Sequence, residues 1–302
     1  MPVTYRPITP GQRDLSSLAR PSGGFAMVAI DQREALRTMF ERHSGGRPVG
    51  DETLTQFKVS AAQVLSPHAS AILVDKHLGF DAVVDSAAIA PGCGLIAAVD
   101  HFVPGHGEHI GRSVVDDTVD PAEMAARGAT ALKQLIVYRP DGSAGERAEI
   151  VGEFLERCHR HDMISILEPV ARPPVDGRTW NRDEMVVAAA EELGSAGADL
   201  YKAEIPLGKE GSDDELRRWC GRLDEAITSP WVVLSTGVPP ERFPHALEIA
   251  CSAGAAGFLA GRAVWAPVIG SVHLDQALGD VSVPRLQELT QIVDAAMTAG
   301  PT

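Results

Sequence analysis

Lys202 lies within Ala198-Asp199-Leu200-Tyr201-Lys202-Ala203-Glu204-Ile205-Pro206, a short segment otherwise composed like a β-strand. An ammonium group is a poor tenant for a strand packed on both faces, because a buried unpaired charge is costly. Burial and neighbours lower the pKa of such a lysine, and the neutral amine attacks carbonyl carbon to form a Schiff base. The bland alternative is an ion pair at the strand mouth with Glu168 or Glu204. Glu168, just past an apolar run, is placed to shuttle protons during carbinolamine dehydration and carbon–carbon cleavage. Lys133 is a second cation that can depress the pKa of Lys202. It can equally pair with Glu168 as a structural partner, which still leaves it in the site.

The elements that must position these side chains repeat along the chain. Eight short apolar runs, at 24–30, 71–74, 94–99, 132–137, 163–167, 199–203, 231–234 and 257–260, read as strands. They are continuous rather than alternating, as parallel strands covered on both faces should be. Amphipathic stretches at 145–161, 182–196, 213–227, 240–253 and 283–297 read as helices. Gly197 and Gly254 follow two of them directly before a strand, as C-capping glycines do. Eight such units predict an α/β fold, a single (β/α)8 barrel domain spanning 1–302. The rival doubly wound sheet lacks its strand–GxGxxG–helix fingerprint. Residues 172–182 are expected as an extended loop after the fifth strand, and 104–107 as part of one after the third.

In such a barrel, chemistry collects at the C-terminal strand ends. Those ends read Asp31-Gln32-Arg33, Asp75-Lys76, Asp100-His101, Lys133 with Tyr138, Glu168, Lys202, Ser235-Thr236-Gly237 and Gly261-Arg262. The last two groups follow the seventh and eighth strands, where barrels frequently hold phosphate on glycine amides and a helix N-terminus. Arg262 adds a charged fork suited to that anion. Ser235, Gly237, Gly261 and Arg262 are therefore expected to bind phosphate, and Asp31, Gln32, Arg33 and Asp75 to line the rest of a substrate site. Each has a plainer alternative: Asp31 and Asp75 as helix caps, Arg33 as a helix-surface residue, His101 as a solvent-facing loop residue.

Composition narrows the partners. The 302 residues carry a formal net charge of −14, which disfavours nucleic acid and does not exclude a local cationic pocket for an anionic small molecule. Cys93, Cys158, Cys220 and Cys251 lie far apart and read as reduced, mostly buried thiols. Residues 1–24 show no signal-type apolar core, and no run reaches membrane-spanning length. A cytoplasmic protein with no membrane partner is expected. No clustered His/Asp/Glu set has ligand spacing, so neither metal nor cofactor is expected.

Five blocks carry a resemblance: SGGFAMVAIDQREALRTMF (22–40), FKVSAAQVLSPHASAILVD (57–75), SILEPVARPP (165–174), GADLYKAEIPL (197–207) and AGAAGFLAGRAVWAPVIG (253–270). The chain resembles the class I aldolases of the tagatose-bisphosphate aldolase family, and within it the sulfofructosephosphate aldolases of sulfoquinovose breakdown. The segment 76–80 departs from that likeness. The resemblance implies a barrel, a Schiff base on Lys202, and Glu168 as the acid/base residue. It also implies cleavage of 6-deoxy-6-sulfofructose 1-phosphate to dihydroxyacetone phosphate and 3-sulfolactaldehyde, and a homo-oligomer, dimer or tetramer. Tagatose 1,6-bisphosphate aldolase keeps the mechanism and changes the tail. A sulfonate bears one charge and suits neutral donors, a role Gln32 beside Arg33 would fit. A non-catalytic sugar-phosphate sensor and a metal-dependent aldolase are the readings from other classes.

Overall fold

The computed structural model describes residues 13–105, 107–207 and 211–299. Residues 1–12 of the N-terminal stretch, and His106 in the 104–107 loop, lie outside them. The strands are β1 (Phe25–Ala29), β2 (Ala71–Asp75), β3 (Gly94–Ala98), β4 (Asp100–Gly105), β5 (Glu108–Val115) and β6 (Ala131–Tyr138). They continue with β7 (Ile164–Ala171), β8 (Leu200–Glu204), β9 (Trp231–Leu234) and β10 (Gly257–Ala260). Eight of them close a parallel barrel in the order β1-β10-β9-β8-β7-β6-β3-β2. This is the expected (β/α)8 barrel, and its strands are the eight runs read from the sequence, with 231–234 and 257–260 matching at both ends.

Every residue of the barrel strands is buried except the half-buried Val137, which is why they read as unbroken apolar runs. Along each strand, successive side chains face opposite ways. Phe25, Met27 and Ala29 of β1 point into the barrel with Leu73, Ile96, Ala131, Ile166, Leu200 and Leu259, and Leu18 joins this interior cluster. Ala26, Val28 and Ile30 point outward into the larger core beneath the helices.

Helices α1 (Glu34–His43) and α2 (Asp51–Leu65) fill the first crossover, with α3 (Asp81–Asp85) and α4 (Pro121–Ala126) after β2 and the hairpin. Next come α5 (Ala144–Arg160), α6 (Arg182–Leu193), α7 (Asp213–Ala226) and α8 (Phe243–Ser252). The short α9 (Arg262–Trp265) and α10 (Leu274–Ala277) precede the closing α11 (Val283–Ala299). Local chemistry sets their starts: Ser143 and Asn181 cap α5 and α6, and Ser212 with Glu215 forms a capping box on α7. Gly197 and Gly254, at φ +97 and +120, occupy the left-handed region after α6 and α8 that only glycine enters cheaply. None of the helices among the described residues is long and apolar enough to cross a membrane.

One element departs from expectation. Residues read as loop after the third strand form an antiparallel hairpin, β4 with β5, inserted between β3 and β6. Pro104 and the glycines at 105, 107 and 111 mask its alternation in the sequence, and the ladder itself shifts register between Val103 and Gly105. The hairpin stands over the C-terminal mouth of the barrel.

Candidate active site

The two-residue period that builds the apolar interior also builds the layer above it. Ala29, Ala98, Ala131, Ile166 and Leu200 all face the barrel interior. Two residues further along each chain come Asp31, Asp100, Lys133, Glu168 and Lys202, so the same face that is apolar below becomes ionic at the C-terminal end. All five are buried, between 0% and 8% exposed.

These groups form an alternating chain of charge. Lys202 Nζ lies 2.8 Å from Glu168 Oε1, and Lys133 Nζ lies 3.1 Å from Glu168 Oε2. Lys133 Nζ also reaches Asp31 at 2.7 Å and Asp100 at 2.6 Å. Asp100 Oδ1 accepts from Arg33 Nη2 at 2.8 Å, Arg33 Nε is 3.7 Å from Asp75 Oδ2, and Asp75 accepts from Lys58 Nζ. Four cations (Lys58, Arg33, Lys133, Lys202) thus face four carboxylates (Asp75, Asp100, Asp31, Glu168), and their formal charges cancel. Transfer of one proton from Lys202 to Glu168 leaves three cations and three carboxylates, still balanced. A neutral lysine nucleophile can therefore arise here without creating a net buried charge.

The ionisation of the neighbours is fixed by this arrangement. Burial alone would raise the Asp31 carboxyl, but Lys133, then Lys202, override it and hold Asp31 well below the usual carboxylate range. Burial likewise works against the Lys133 ammonium, yet Asp100, Asp31 and Glu168 hold it well above the ordinary lysine value. Lys133 is thus a locked cation, and it shares the Glu168 carboxylate with Lys202. At Lys58 burial prevails over Asp75 and its pKa falls.

Arg262 opens α9 after β10, and its Nη2 donates to Thr236 Oγ1 at 2.5 Å, tying the eighth strand's loop to the seventh's. Arg262 is pushed below the usual guanidinium value by burial and by the nearby charge of Arg172, which follows β7. Among the described residues neither arginine forms an ion pair with a carboxylate, and Asp31, Glu168 and Glu204 act on Arg262 only from a distance, so the two make a positive wall of the cavity. Gly261 is obligatory: a Cβ there would sit 2.3 Å from the carbonyl oxygen of Ala29 and 3.1 Å from Gln32 Nε2. Gly237, at φ +82, makes the turn after Thr236.

A cavity of about 600 Å³ opens over this layer. Asp31, Gln32, Arg33, Glu168, Arg172, Thr236 and Arg262 line it, and Phe102, His101 and His109 enter from the hairpin. Arg33 is not a helix-surface residue: its guanidinium stacks 4.5 Å from the Phe102 ring while it bonds Asp100. Asp31 caps no helix, since Arg33 occupies that position and Asp31 faces Lys133. His101 is exposed, as its plainer reading had it, but on the cavity side of the hairpin.

Asp75 requires correction as a substrate-lining residue. It has no exposure, accepts from Lys58 and from the Leu78 amide at 2.9 Å, and lies behind the cavity wall, where it helps hold Arg33. Ser235 and Gly237 flank Thr236 and Gly261 precedes Arg262, while Thr236 and Arg262 themselves form the wall; Ser235 Oγ accepts from the Ala263 amide at 3.4 Å. Gln32 lies beside Gly261, on the Arg262 side of the cavity, rather than apart from it. Asp100, Thr236, Arg172, Phe102 and Lys58 were not singled out from the sequence. Asp100 and Thr236 stood among the strand ends, whereas Lys58 reads as an ordinary lysine of an amphipathic helix. None of the four cysteines lines the cavity, and burial pushes the Cys220 and Cys251 thiols up to about 12.

Comparison with known proteins agrees with this geometry. The family model described as "DeoC/LacD family aldolase" matches residues 25–267. A tagatose 1,6-diphosphate aldolase of Listeria monocytogenes is 29% identical over 293 residues, covering 86% of this chain and 82% of its own. One from Enterococcus faecalis is 28% identical, covering 84% of each. Among solved structures, Plasmodium falciparum fructose-bisphosphate aldolase superposes with a TM-score of 0.68 at 14% identity, covering 95% of this chain and 93% of that one. An archaeal fructose-1,6-bisphosphate aldolase, solved with its catalytic lysine bound to the carbinolamine intermediate, gives 0.59 at 15% identity over 93% and 98%. A closed parallel barrel with an ionic layer at its mouth, and a family match across most of that barrel, lead to one conclusion: the chain belongs to the DeoC/LacD family of aldolases, carbon–carbon lyases.

Proposed function

We propose that this aldolase acts through a Schiff base on Lys202 and cleaves 6-deoxy-6-sulfofructose 1-phosphate to dihydroxyacetone phosphate and 3-sulfolactaldehyde. The observation that carries the mechanism is the Lys202–Glu168 contact at 2.8 Å inside a charge-balanced layer. Lys202 gives a proton to Glu168 and its amine attacks carbon two of the ketose. Glu168 returns that proton to the departing hydroxyl as the carbinolamine loses water. The iminium then draws the electron pair of the breaking bond between carbons three and four, while Glu168 accepts the proton of the carbon-four hydroxyl. Protonation of the enamine and hydrolysis release dihydroxyacetone phosphate. Lys133 stays charged throughout and holds Glu168, Asp31 and Asp100 in place.

The substrate assignment rests on the resemblance and on the two ends of the cavity. Arg262 and Arg172, without carboxylate partners among the described residues, suit the dianionic phosphate at carbon one. Elsewhere on the lining, the Arg33 guanidinium is already matched by Asp100, which suits the single charge of a sulfonate. Tagatose 1,6-bisphosphate is the second reading, supported by the names of the relatives at 28–29% identity. Rates measured side by side on the two ketoses decide between them. Faster turnover of the sulfonated ketose supports the assignment, and faster turnover of the bisphosphate replaces it.

A further inference from the structure

His77 sits in the turn after β2, and its Nε2 lies 2.7 Å from Asp116 Oδ2. Asp116, just past β5, is itself anchored: its Oδ1 accepts from Thr118 N at 2.9 Å and from Thr118 Oγ1 at 2.6 Å. The His77 side chain is 46% exposed and Asp116 only 4%, and both line the cavity described above. Among the described residues Asp116 is the ring's only hydrogen-bonding partner, which leaves Nδ1 unengaged. The carboxylate on Nε2 fixes the tautomer. Neutral His77 then carries its N–H toward Asp116 and a lone pair on Nδ1; protonated His77 carries a second N–H there.

The barrel order places this pair relative to Lys202. β2 and β8 stand four places apart in either direction around the eight-stranded ring, so they are opposite walls. Arg262 and Thr236 follow β10 and β9, the neighbours of β8 on one side. A ketose phosphate fixed at carbon two by Lys202 and at carbon one by that wall runs its remaining carbons across the mouth, toward β2 and the hairpin.

We propose that His77, oriented by Asp116, is the specificity-determining residue for the substituent at carbon six, and takes an anionic group there as an imidazolium. The proposal rests on the Schiff-base reading of Lys202. Its sign follows from the tautomer: the Nδ1 lone pair of neutral His77 repels an anion, and the imidazolium donates to it. A sulfonate brings no proton of its own, so the proton comes from solvent. The charged and titratable groups lining the cavity around it are Asp116 beneath the ring, Arg33, Glu34 and Arg37 after β1, Asp51 at the start of α2, and His101 and His109 on the hairpin. Lys76, on His77's own turn, is engaged by Asp81 and Glu123.

The test is steady-state kinetics on the sulfonated ketose phosphate and on fructose 1-phosphate, which has only a hydroxyl at carbon six, across about pH 5–8, where histidines titrate. For the wild type, KM of the sulfonated substrate should rise with pH through this range, and KM of fructose 1-phosphate should not follow it. His77→Ala should lower the preference for the sulfonated substrate by about tenfold to a hundredfold, the value of a charge-assisted hydrogen bond, through KM rather than kcat. Asp116→Asn, which loosens the ring's orientation, should raise KM for the sulfonated substrate and leave that of fructose 1-phosphate unchanged, which loss of a merely structural contact would not do. An unchanged preference in His77→Ala, or an equal loss on both substrates, overturns the proposal. Borohydride trapping of dihydroxyacetone phosphate on Lys202 is run in parallel, because its absence would implicate the Schiff-base reading rather than His77.

Discussion

Glu168 divides its two carboxylate oxygens between two lysines: Oε1 lies 2.8 Å from Lys202 and Oε2 lies 3.1 Å from Lys133. The partners differ in what surrounds them. Lys133 has two further carboxylates within 2.7 Å, so its proton is fixed. Glu168 is the only ion-pair partner of Lys202 among the described residues, and the proposed mechanism passes its proton between these two.

Glu168→Gln keeps the shape and removes proton transfer. Turnover should fall by about 10²–10⁴-fold, the usual contribution of a positioned acid–base group. Binding of dihydroxyacetone phosphate, followed by calorimetry, should persist. Near-normal turnover would take Glu168 out of the mechanism.

Lys133→Met leaves Asp31, Asp100 and Glu168 crowded without their shared cation. Removing one partner of a buried pair typically costs about 3–5 kcal/mol, and the urea midpoint at pH 7 should drop accordingly. The pH dependence changes sign. In the wild type the folded-state pKa of Asp31 is depressed, so its contribution is present above the unfolded value of about 4. That contribution is lost as pH falls further, through the folded value. In the variant the stranded carboxylates take up protons readily, so stability should rise from pH 7 to pH 5. A variant as stable as the wild type at pH 7 would contradict the charge-balanced layer.

The positions of these charges were legible to different degrees. Lys202 and Lys133 stood out because an ionic residue inside a continuous apolar run breaks the strand's own pattern, and Glu168 because it follows such a run directly. The barrel was legible for the same reason: fully buried strands carry no polar alternation to obscure them. Asp75 caps the turn after β2 through the Leu78 amide, as its plainer reading had it, but its pairing with Lys58 was not legible, because neither α2 nor the end of β2 signals that the two meet behind the wall. Their pairing depends on how a helix packs over a strand, and no local spacing encodes that. The sequence shows this stretch as loop because Pro104 and the glycines break its period, and with it went Phe102 and the hairpin's place above the cavity.

Asp75→Asn tests the structural role now assigned to Asp75. It leaves Lys58 buried with no exposure and without its carboxylate, and should cost about 3–5 kcal/mol of stability by denaturant unfolding. The double variant Lys58→Met/Asp75→Leu should recover much of that loss, since apolar replacement of a buried ion pair is often neutral. If Asp75→Asn is stable and instead raises KM, Asp75 belongs to the substrate after all.

Arg262→Ala removes the charged anchor of the carbon-one phosphate. A charge-assisted hydrogen bond contributes roughly 1.5–3 kcal/mol, so affinity should fall by about one to two decades. The loss should be equal for dihydroxyacetone phosphate and for the whole ketose. A loss confined to the sulfonated ketose would reverse the orientation of the substrate.

The central claim is that Lys202 is the covalent nucleophile, and reductive trapping reads it most directly. Protein incubated with dihydroxyacetone phosphate and borohydride should gain one irreversible adduct. Peptide mapping should place it on Lys202, with loss of activity in proportion to labelling. An adduct on Lys133 or Lys209, or full inactivation with Lys202 unmodified, would contradict the account.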